Sequence, residues 1–359
     1  MKILHVITSM IKTAGTSIFV RGLAHEQVER GHNVAIVHLG IWLKDIYELD
    51  SRIEFVGEPD FWSAVDGCFY DIVHIHGLWE PMLHRFAVYA RKHGIKIVWS
   101  THGALTKWAL RNHWWKKLPV WLLYQKRDLR LAAAIHVTAQ SEVEDVRRIG
   151  FTNKVIVAPL GVAICDNHKR MGGGHVMLFV GRIHPIKNLP TLMRAFGSVM
   201  QSGESAANQW RLRVVGPDQE GHAAELKGLV KDLGIEDSVE FVKPKYGDEL
   251  KQEYINADCF VLPSHSENFG SVVIEALSAG VPVITTKGTP WQELEEHDCG
   301  RWVDISEPAI EKAIVEMISK TDEERKAMGQ RGIQLVKSKY SWGAVCDKVI
   351  KGYEDVLND

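Results

Sequence analysis

The chain has 359 residues, 45% of them hydrophobic and 25% charged, with a formal net charge of −2 at neutral pH. These globular proportions exclude a disordered or fibrous chain, and the lack of a global basic field argues against nucleic acid as the main partner. The length exceeds one ordinary core and fits two domains of roughly 150 to 200 residues, which implies a cleft between two lobes.

The start, "MKILHVITSM", is an apolar run that His5, Thr8, Ser9 and Lys12 interrupt too soon for a signal-peptide core, so it reads as a first buried strand. The loop "KTAGTS" follows, where Gly15 lets backbone amides face a ligand, and then a helix through "SIFVRGLAHEQVERG". Apolar runs in "NVAIVHL", "DIVHIHG", "KIVWSTHG", "AIHVTA" and "KVIVAPLG" alternate with helical text, the pattern of a parallel sheet covered on both faces. Residues 1–165 are therefore expected to form a Rossmann-like domain. "VHIHGLW" puts His74 and His76 on one face of a strand, and His102 ends another strand in "STHGAL". No carboxylate or cysteine lies at ligand spacing, which favours satisfied or substrate-contacting histidines over a metal site.

Between residues 105 and 130 the text "LTKWALRNHWWKKLPVWLLYQKRDLR" carries seven Lys or Arg against one Asp, interleaved with Trp108, Trp114, Trp115 and Trp121. As a patch this suits an anionic membrane surface or a lipid-linked phosphate; residue by residue, core-facing tryptophans and solvated cations are the plainer expectation. The five cysteines (Cys68, Cys165, Cys259, Cys299, Cys346) form no CxxC pair, which points to a reducing cytoplasm, and no uncharged run is long enough for a membrane span. Contact with the inner face of a membrane would be peripheral.

Residues 166–175, "DNHKRMGGGH", are polar and Gly-rich and read as a linker. The pattern then restarts: "HVMLFVGR", "WRLRVVG", "SVEFVKP", "DCFVLPS" and "PVITT" supply strands of a second parallel α/β domain over 176–338. The end, residues 339–359, includes "SWGAVCDKVIKGYEDVL", whose apolar residues recur at helical spacing from Trp342 to Leu357.

In an open parallel sheet, ligands gather beyond the carboxyl ends of the strands, where helix N-termini present free N–H groups. "VGRIHPIKNL" puts Arg182 and Lys187 there, two cations suited to neutralising a pyrophosphate leaving group, or simply two solvated loop charges. "SHSENFGSVVIEALSAG" follows another strand; Ser271 opens a helix whose first amides, with those of Phe269, Gly270 and Val272, would face an anion. Glu275, inside that apolar helix, could accept hydrogen bonds from a ribose diol or be an ordinary surface glutamate, and spacing alone does not decide. No GxGxxG, no GxxxxGK[ST] and no Asp-x-Asp pair occurs, which counts against a nicotinamide dehydrogenase, a P-loop enzyme and a metal-bridged diphosphate.

These motifs together resemble the retaining glycosyltransferases of family 4, also called group 1, which have the GT-B architecture of two Rossmann-like doubly wound parallel-sheet domains facing a central cleft. The resemblance rests on the E-x7-E signature from Glu267 to Glu275, on "GRIHPIKNL", on "STHGAL" and on "TTKGTPWQEL", and it covers nearly the whole chain. It implies that Glu275 binds the ribose of a nucleotide sugar linked to UDP or GDP. Glu267, Asn268 and the backbone of Phe269 and Gly270 would meet the donor sugar, and Arg182 with Lys187 would hold the diphosphate. His102 would lie beside the reacting centre and the loop at Gly15 and Thr16 would close on the phosphates. It further implies a retaining, metal-independent enzyme with no cofactor, and a last helix crossing back onto the first domain. Two departures leave details open: Ala14-Gly15 stands where the family often has Gly-Gly, and Lys243-Pro244, near the expected base site, where Gly is common. The wording of "HGALTKWAL" and "TPWQEL" resembles members that build bacterial surface polysaccharides, including lipopolysaccharide, on lipid-linked saccharide acceptors. A sugar-nucleotide epimerase or phosphorylase, or a non-catalytic nucleotide-sugar-binding subunit, are the competing readings.

Overall fold

The computed structural model describes residues 1–10, 15–38, 50–57, 60–62, 69–165, 174–203, 207–219 and 221–359, apart from the Trp108 side chain. The chain divides into two compact units, Met1–Gly161 with Trp342–Asp359, and Val162–Ser341. Of the linker expected at 166–175, only residues 174 and 175 fall among those described.

The first unit holds a seven-stranded parallel sheet of β1 (Lys2–Ile7), β2 (Asn33–His38), β3 (Glu54–Gly57), β4 (Ile72–His76), β5 (Lys96–Ser100), β6 (Ala134–Val137) and β7 (Lys154–Val157). Its order is β3-β2-β1-β4-β5-β6-β7. Every residue of β1 from Ile3 to Ile7 is buried, because helices cover both faces. Leu4 and Val6 enter one core with Val73 and Ile75, whereas Ile3 and Ile7 enter the other with Ile36 and Ile72, as the two-residue period of a strand requires.

That second core is closed by the helix Gly15–Glu29 and the last helix, Trp342–Leu357. Val345, Val349, Tyr353 and Val356 of the last helix are buried beside Phe19, Val20 and Leu23. Such side chains contribute roughly 1.5–3 kcal/mol each when fully buried, as an upper estimate. Trp342 needs two glycines: a Cβ on Gly22 or on Gly161 would lie 2.4 Å from its ring.

The second unit holds β8 (His175–Val180), β9 (Trp210–Val215), β10 (Val239–Val242), β11 (Cys259–Leu262), β12 (Val283–Thr286) and β13 (Gly300–Val303), a parallel sheet ordered β10-β9-β8-β11-β12-β13. Its two ends meet, since Val162 N donates to Tyr340 O at 2.9 Å. The motif reading misses β3 and β13. Both are four-residue edge strands with mostly half-buried side chains, so their apolar signal is weak.

In each sheet the strand order reverses once, between β1 and β4 and between β8 and β11. Crevices beyond the carboxyl ends of strands at such reversals are where doubly wound sheets bind ligands. Among the described residues no helix is long and apolar enough to cross a membrane.

Candidate functional site

In the second unit, β8 and β11 pair directly, so the loops that leave their carboxyl ends lie side by side. The β8 loop continues through Gly181 and Arg182 into a 3-10 turn, Pro185–Lys187. The β11 loop leads to the helix Ser271–Ser278. His265 N donates to Ile186 O at 2.9 Å and ties the two loops together. On its other side the β8 loop passes close to the exit of β9, where a Cβ on Gly216 would come within 1.8 Å of Gly181 O.

This arrangement brings Lys187 onto Glu267. The ammonium pairs with Glu267 Oε1, both side chains being only 13–14% exposed, and Ser264 Oγ donates to the same oxygen at 2.7 Å. Glu267 N donates to Gly288 O at 2.9 Å, and a Cβ on Gly288 would meet His265 O at 2.4 Å. With so little water around it, the pair attracts more strongly than a surface ion pair would.

Glu275 lies on the Ser271–Ser278 helix and accepts a hydrogen bond from the Tyr254 hydroxyl at Oε2, 2.8 Å away. Burial raises its carboxyl pKa above the usual range, and the Tyr254 bond offsets part of that rise. Its other oxygen makes no hydrogen bond among the described residues. Gly270, at φ 78°, starts the helix in a left-handed conformation that suits glycine, and no side chain among the described residues caps the helix. The first-turn amides of Ser271 and Val272 therefore lack a side-chain acceptor. Phe269 is anchored beside them, with its carbonyl accepting from Trp291 Nε1 at 2.6 Å and its ring against Trp291 and Tyr340. Asn268 belongs to the same half-buried loop.

Two expected cations stand apart from this group. Arg182 is exposed and donates to Gln219 Oε1 at 3.1 Å, and Lys243 is exposed beyond β10. Sequence reading missed Tyr254, Ser264 and Trp291, each of which holds a motif residue or its loop. A hydroxyl or indole inside apolar text carries no signal of what it reaches.

In the first unit, Gly15 and Thr16 open a helix, while residues 11–14 of the expected phosphate loop lie outside the described residues. A Cβ on Gly15 would meet nothing within 4 Å. His102 follows β5 with φ 46°, a left-handed conformation uncommon outside glycine, and Gly103 follows with φ 76°. Buried Glu142 holds this turn, accepting from Thr101 Oγ1 at 3.1 Å and Gly103 N at 2.8 Å, and also from Thr138 N at 3.0 Å. Glu142 is a further residue that its own sequence context did not mark.

Behind His102 lies a buried histidine network. His102 Nε2 is 3.2 Å from His76 Nδ1, His76 Nε2 is 2.9 Å from His5 Nδ1, and His5 Nε2 is 2.8 Å from Gln27 Oε1. A second line runs from Tyr353 to His74 at 2.5 Å, to Ser100 and His136 at 2.6 Å each, and to Ala158 O at 2.8 Å. Burial is the main force that lowers these imidazoles, to about 4 for His5 and His136 and about 3 for His102, with His74 and His76 also well below normal. They are neutral at pH 7. His5, His74 and His76 bring three ring nitrogens within 4.8 Å of one another, but every nitrogen of the three is already hydrogen-bonded to a protein group. The donor set is that of a satisfied network rather than a metal centre.

Within 105–130 the expectation divides. Trp121 packs toward the core against Phe151 and Trp79, whereas Trp114 and Trp115 are more than half exposed and Leu122 and Leu123 more than two thirds. Asp128, the segment's one acid, is buried on His84 Nδ1 at 2.6 Å and Arg91 Nη1 at 2.9 Å. The segment therefore exposes apolar side chains as well as cations, among them Lys116, Lys126, Arg127 and Arg130.

Two family models match the chain. Residues 166–335 match the family "Glycosyl transferases group 1", and residues 13–164 match "Glycosyltransferase Family 4". Curated relatives include D-inositol 3-phosphate glycosyltransferases of Corynebacterium kroppenstedtii (31% identical, covering 51% of this chain and 41% of the relative) and Kineococcus radiotolerans (30%, 57% and 53%). The chain thus spans only about half the length of the curated relatives it matches. Among solved structures, sucrose-phosphate synthase from Thermosynechococcus elongatus superposes with a TM-score of 0.76 at 19% identity over 100% of both chains. Anabaena HepE in complex with UDP gives 0.76 at 16% identity over 99% of this chain and 100% of that one. At these identities the superpositions establish a shared fold.

Proposed function

The chain belongs to the group 1, family 4 glycosyltransferases, and we propose that it moves a sugar from a nucleotide-sugar donor to an acceptor hydroxyl. The observation that carries this reading is Glu275: a half-buried carboxylate with one oxygen fixed by Tyr254 and the other making no hydrogen bond among the described residues, on a helix whose first-turn amides no described side chain caps. Such an oxygen suits a ribose diol, and such amides suit a phosphate.

The donor's diphosphate meets the amides of Phe269 to Val272 and the Lys187 ammonium, with Arg182 turning in from Gln219. Lys243, Gly15 and Thr16 complete the donor contacts, and Glu267 with Asn268 meets the transferred sugar. The acceptor oxygen bonds to the anomeric carbon as the carbon–oxygen bond to the diphosphate breaks on the same face, and a departing phosphate oxygen takes the acceptor's proton. Configuration is retained. Cations and amides carry the leaving-group charge, so no metal or other cofactor is required. His102 contacts substrate at the reacting centre.

For the acceptor we favour a lipid-linked saccharide in surface polysaccharide synthesis, reached from the cytoplasmic face. The exposed tryptophans, leucines and cations of 105–130 support it, as a surface suited to anionic lipid. A soluble phosphorylated polyol is the second reading, favoured by curated relatives described as D-inositol 3-phosphate glycosyltransferases. The test is donor consumption from a panel of UDP- and GDP-sugars, with lipid-linked and soluble acceptors compared. Transfer that requires Glu275 and an acceptor supports the proposal; epimerisation of the donor without an acceptor contradicts it.

A further inference from the structure

We infer that Gln27, His5 and His76 are positioning residues that lock His102 in one tautomer, with the proton on Nε2 and a bare Nδ1 that accepts a hydrogen bond from a substrate hydroxyl. The tautomer follows from the network alone; the hydroxyl contact rests also on the proposed place of His102 beside the substrate.

The direction of the bonds is set by two groups that can only accept, one at the end of each line. Ala158 O, 2.8 Å from His136 Nε2, requires that nitrogen to carry the proton. In a neutral ring Nδ1 is then a lone pair, so the Ser100 hydroxyl at 2.6 Å donates to it. The Ser100 oxygen in turn accepts from His74 Nε2–H at 2.6 Å, and His74 Nδ1 accepts from the Tyr353 hydroxyl at 2.5 Å. The hydrogen of Tyr353 is thereby committed, and its oxygen can only accept.

Gln27 sets the direction of the other line. Its Oε1 lies 2.8 Å from His5 Nε2 and can only accept, so His5 donates from that nitrogen, while the buried Gln27 Nε2 makes no hydrogen bond among the described residues. His5 Nδ1 then accepts from His76 Nε2–H at 2.9 Å, and His76 Nδ1 accepts from His102 Nε2–H at 3.2 Å.

His102 ends the line with its proton spent on His76 and its ring neutral. Nδ1 makes no hydrogen bond among the described residues, and the ring is partly exposed. An atom that accepts and cannot donate has nothing to offer a phosphate oxygen. Its fitting partner is a hydroxyl of the sugar or acceptor.

The test is nitrogen-15 NMR of histidine-labelled protein, with the His102 ring assigned by its loss in His102→Asn. The wild type is expected to show His102 Nδ1 unprotonated. Gln27→Glu, which can only accept at position 27, should keep that tautomer, and Gln27→Leu should give a mixture of the two. Nδ1 protonated in the wild type, a result that needs no variant to fold, would overturn the inference, as would an unchanged His102 ring in Gln27→Leu. Full transfer by His102→Asn would overturn the hydroxyl contact while the tautomer stands.

Discussion

Tyr254 donates its hydroxyl hydrogen to Glu275 Oε2 at 2.8 Å, fixing one oxygen of a half-buried carboxylate and leaving the other without a hydrogen bond among the described residues. Burial raises the Glu275 pKa and this bond restrains it. Tyr254→Phe should therefore raise it further. Carboxylate acceptance of a diol needs the ionised form, so nucleotide affinity should fall off on the acid side at a higher pH in the variant. A bond to a charged group contributes about 1.5–3 kcal/mol. UDP and GDP affinity measured from pH 8 to pH 5 checks this, and superimposable profiles would count against it.

Lys187 and Glu267 should behave as a coupled pair. Lys187→Ala leaves a mostly covered carboxylate with Ser264 Oγ as its remaining side-chain partner among the described residues, and should cost more than the same change at a solvated lysine. In a double-mutant cycle with Glu267→Ala, denaturant unfolding should give a coupling of about 0.5–3 kcal/mol. Strict additivity would show that the pair is not formed in solution.

Gly22→Ala is a helix substitution that local propensity would favour by roughly 0.5–1 kcal/mol. Here the new Cβ would lie 2.4 Å from the Trp342 ring, and overpacking of about 1–3 kcal/mol outweighs the gain. The melting temperature should fall. A rise would mean that Trp342 does not occupy this place.

The buried histidines predict acid sensitivity of definite sign. Their folded pKa values lie below the ordinary 6.5, so the unfolded chain binds more protons as pH falls. Stability present above pH 6.5 should be lost progressively toward pH 4, the value for His5 and His136. Glu275, raised by burial, acts in the opposite sense: its contribution is complete below its unfolded value of 4.5 and is lost as pH rises through its higher folded value. Unfolding free energies at pH 7 and pH 5 should show a shallower decline for His136→Asn than for the wild type. Equal slopes would remove His136 from the acid response.

If the surface of 105–130 meets lipid, binding to anionic vesicles should weaken with added salt and with Leu122→Ser/Leu123→Ser, two exposed positions. Neutral vesicles bound equally well, or vesicles not bound at all, would contradict this.

Much of the fold was legible because strands such as β1 and β4 are mostly apolar and almost wholly buried, and helices between them keep a helical period. β3 and β13 were lost because short, half-buried edge strands have neither property. In the candidate site, Lys187, Glu267 and Glu275 were singled out from their places after strand ends, the two glutamates also from the spacing between them. Gln27, Tyr254 and Glu142 were not, since a polar residue in a helix gains its role from what another element brings beside it. The 105–130 segment was ambiguous for the same reason: Trp121 and Trp115 read alike until the core takes one and leaves the other exposed.

The role assigned to Glu275 is tested most directly by calorimetric binding of UDP and GDP to the wild type and to Glu275→Ala, with the variant's fold verified by circular dichroism. One of the two nucleotides should bind the wild type and bind Glu275→Ala at least about tenfold more weakly, a loss of about 1.4 kcal/mol or more. Equal affinity for the two proteins would contradict the assignment of Glu275 as the nucleotide's diol ligand.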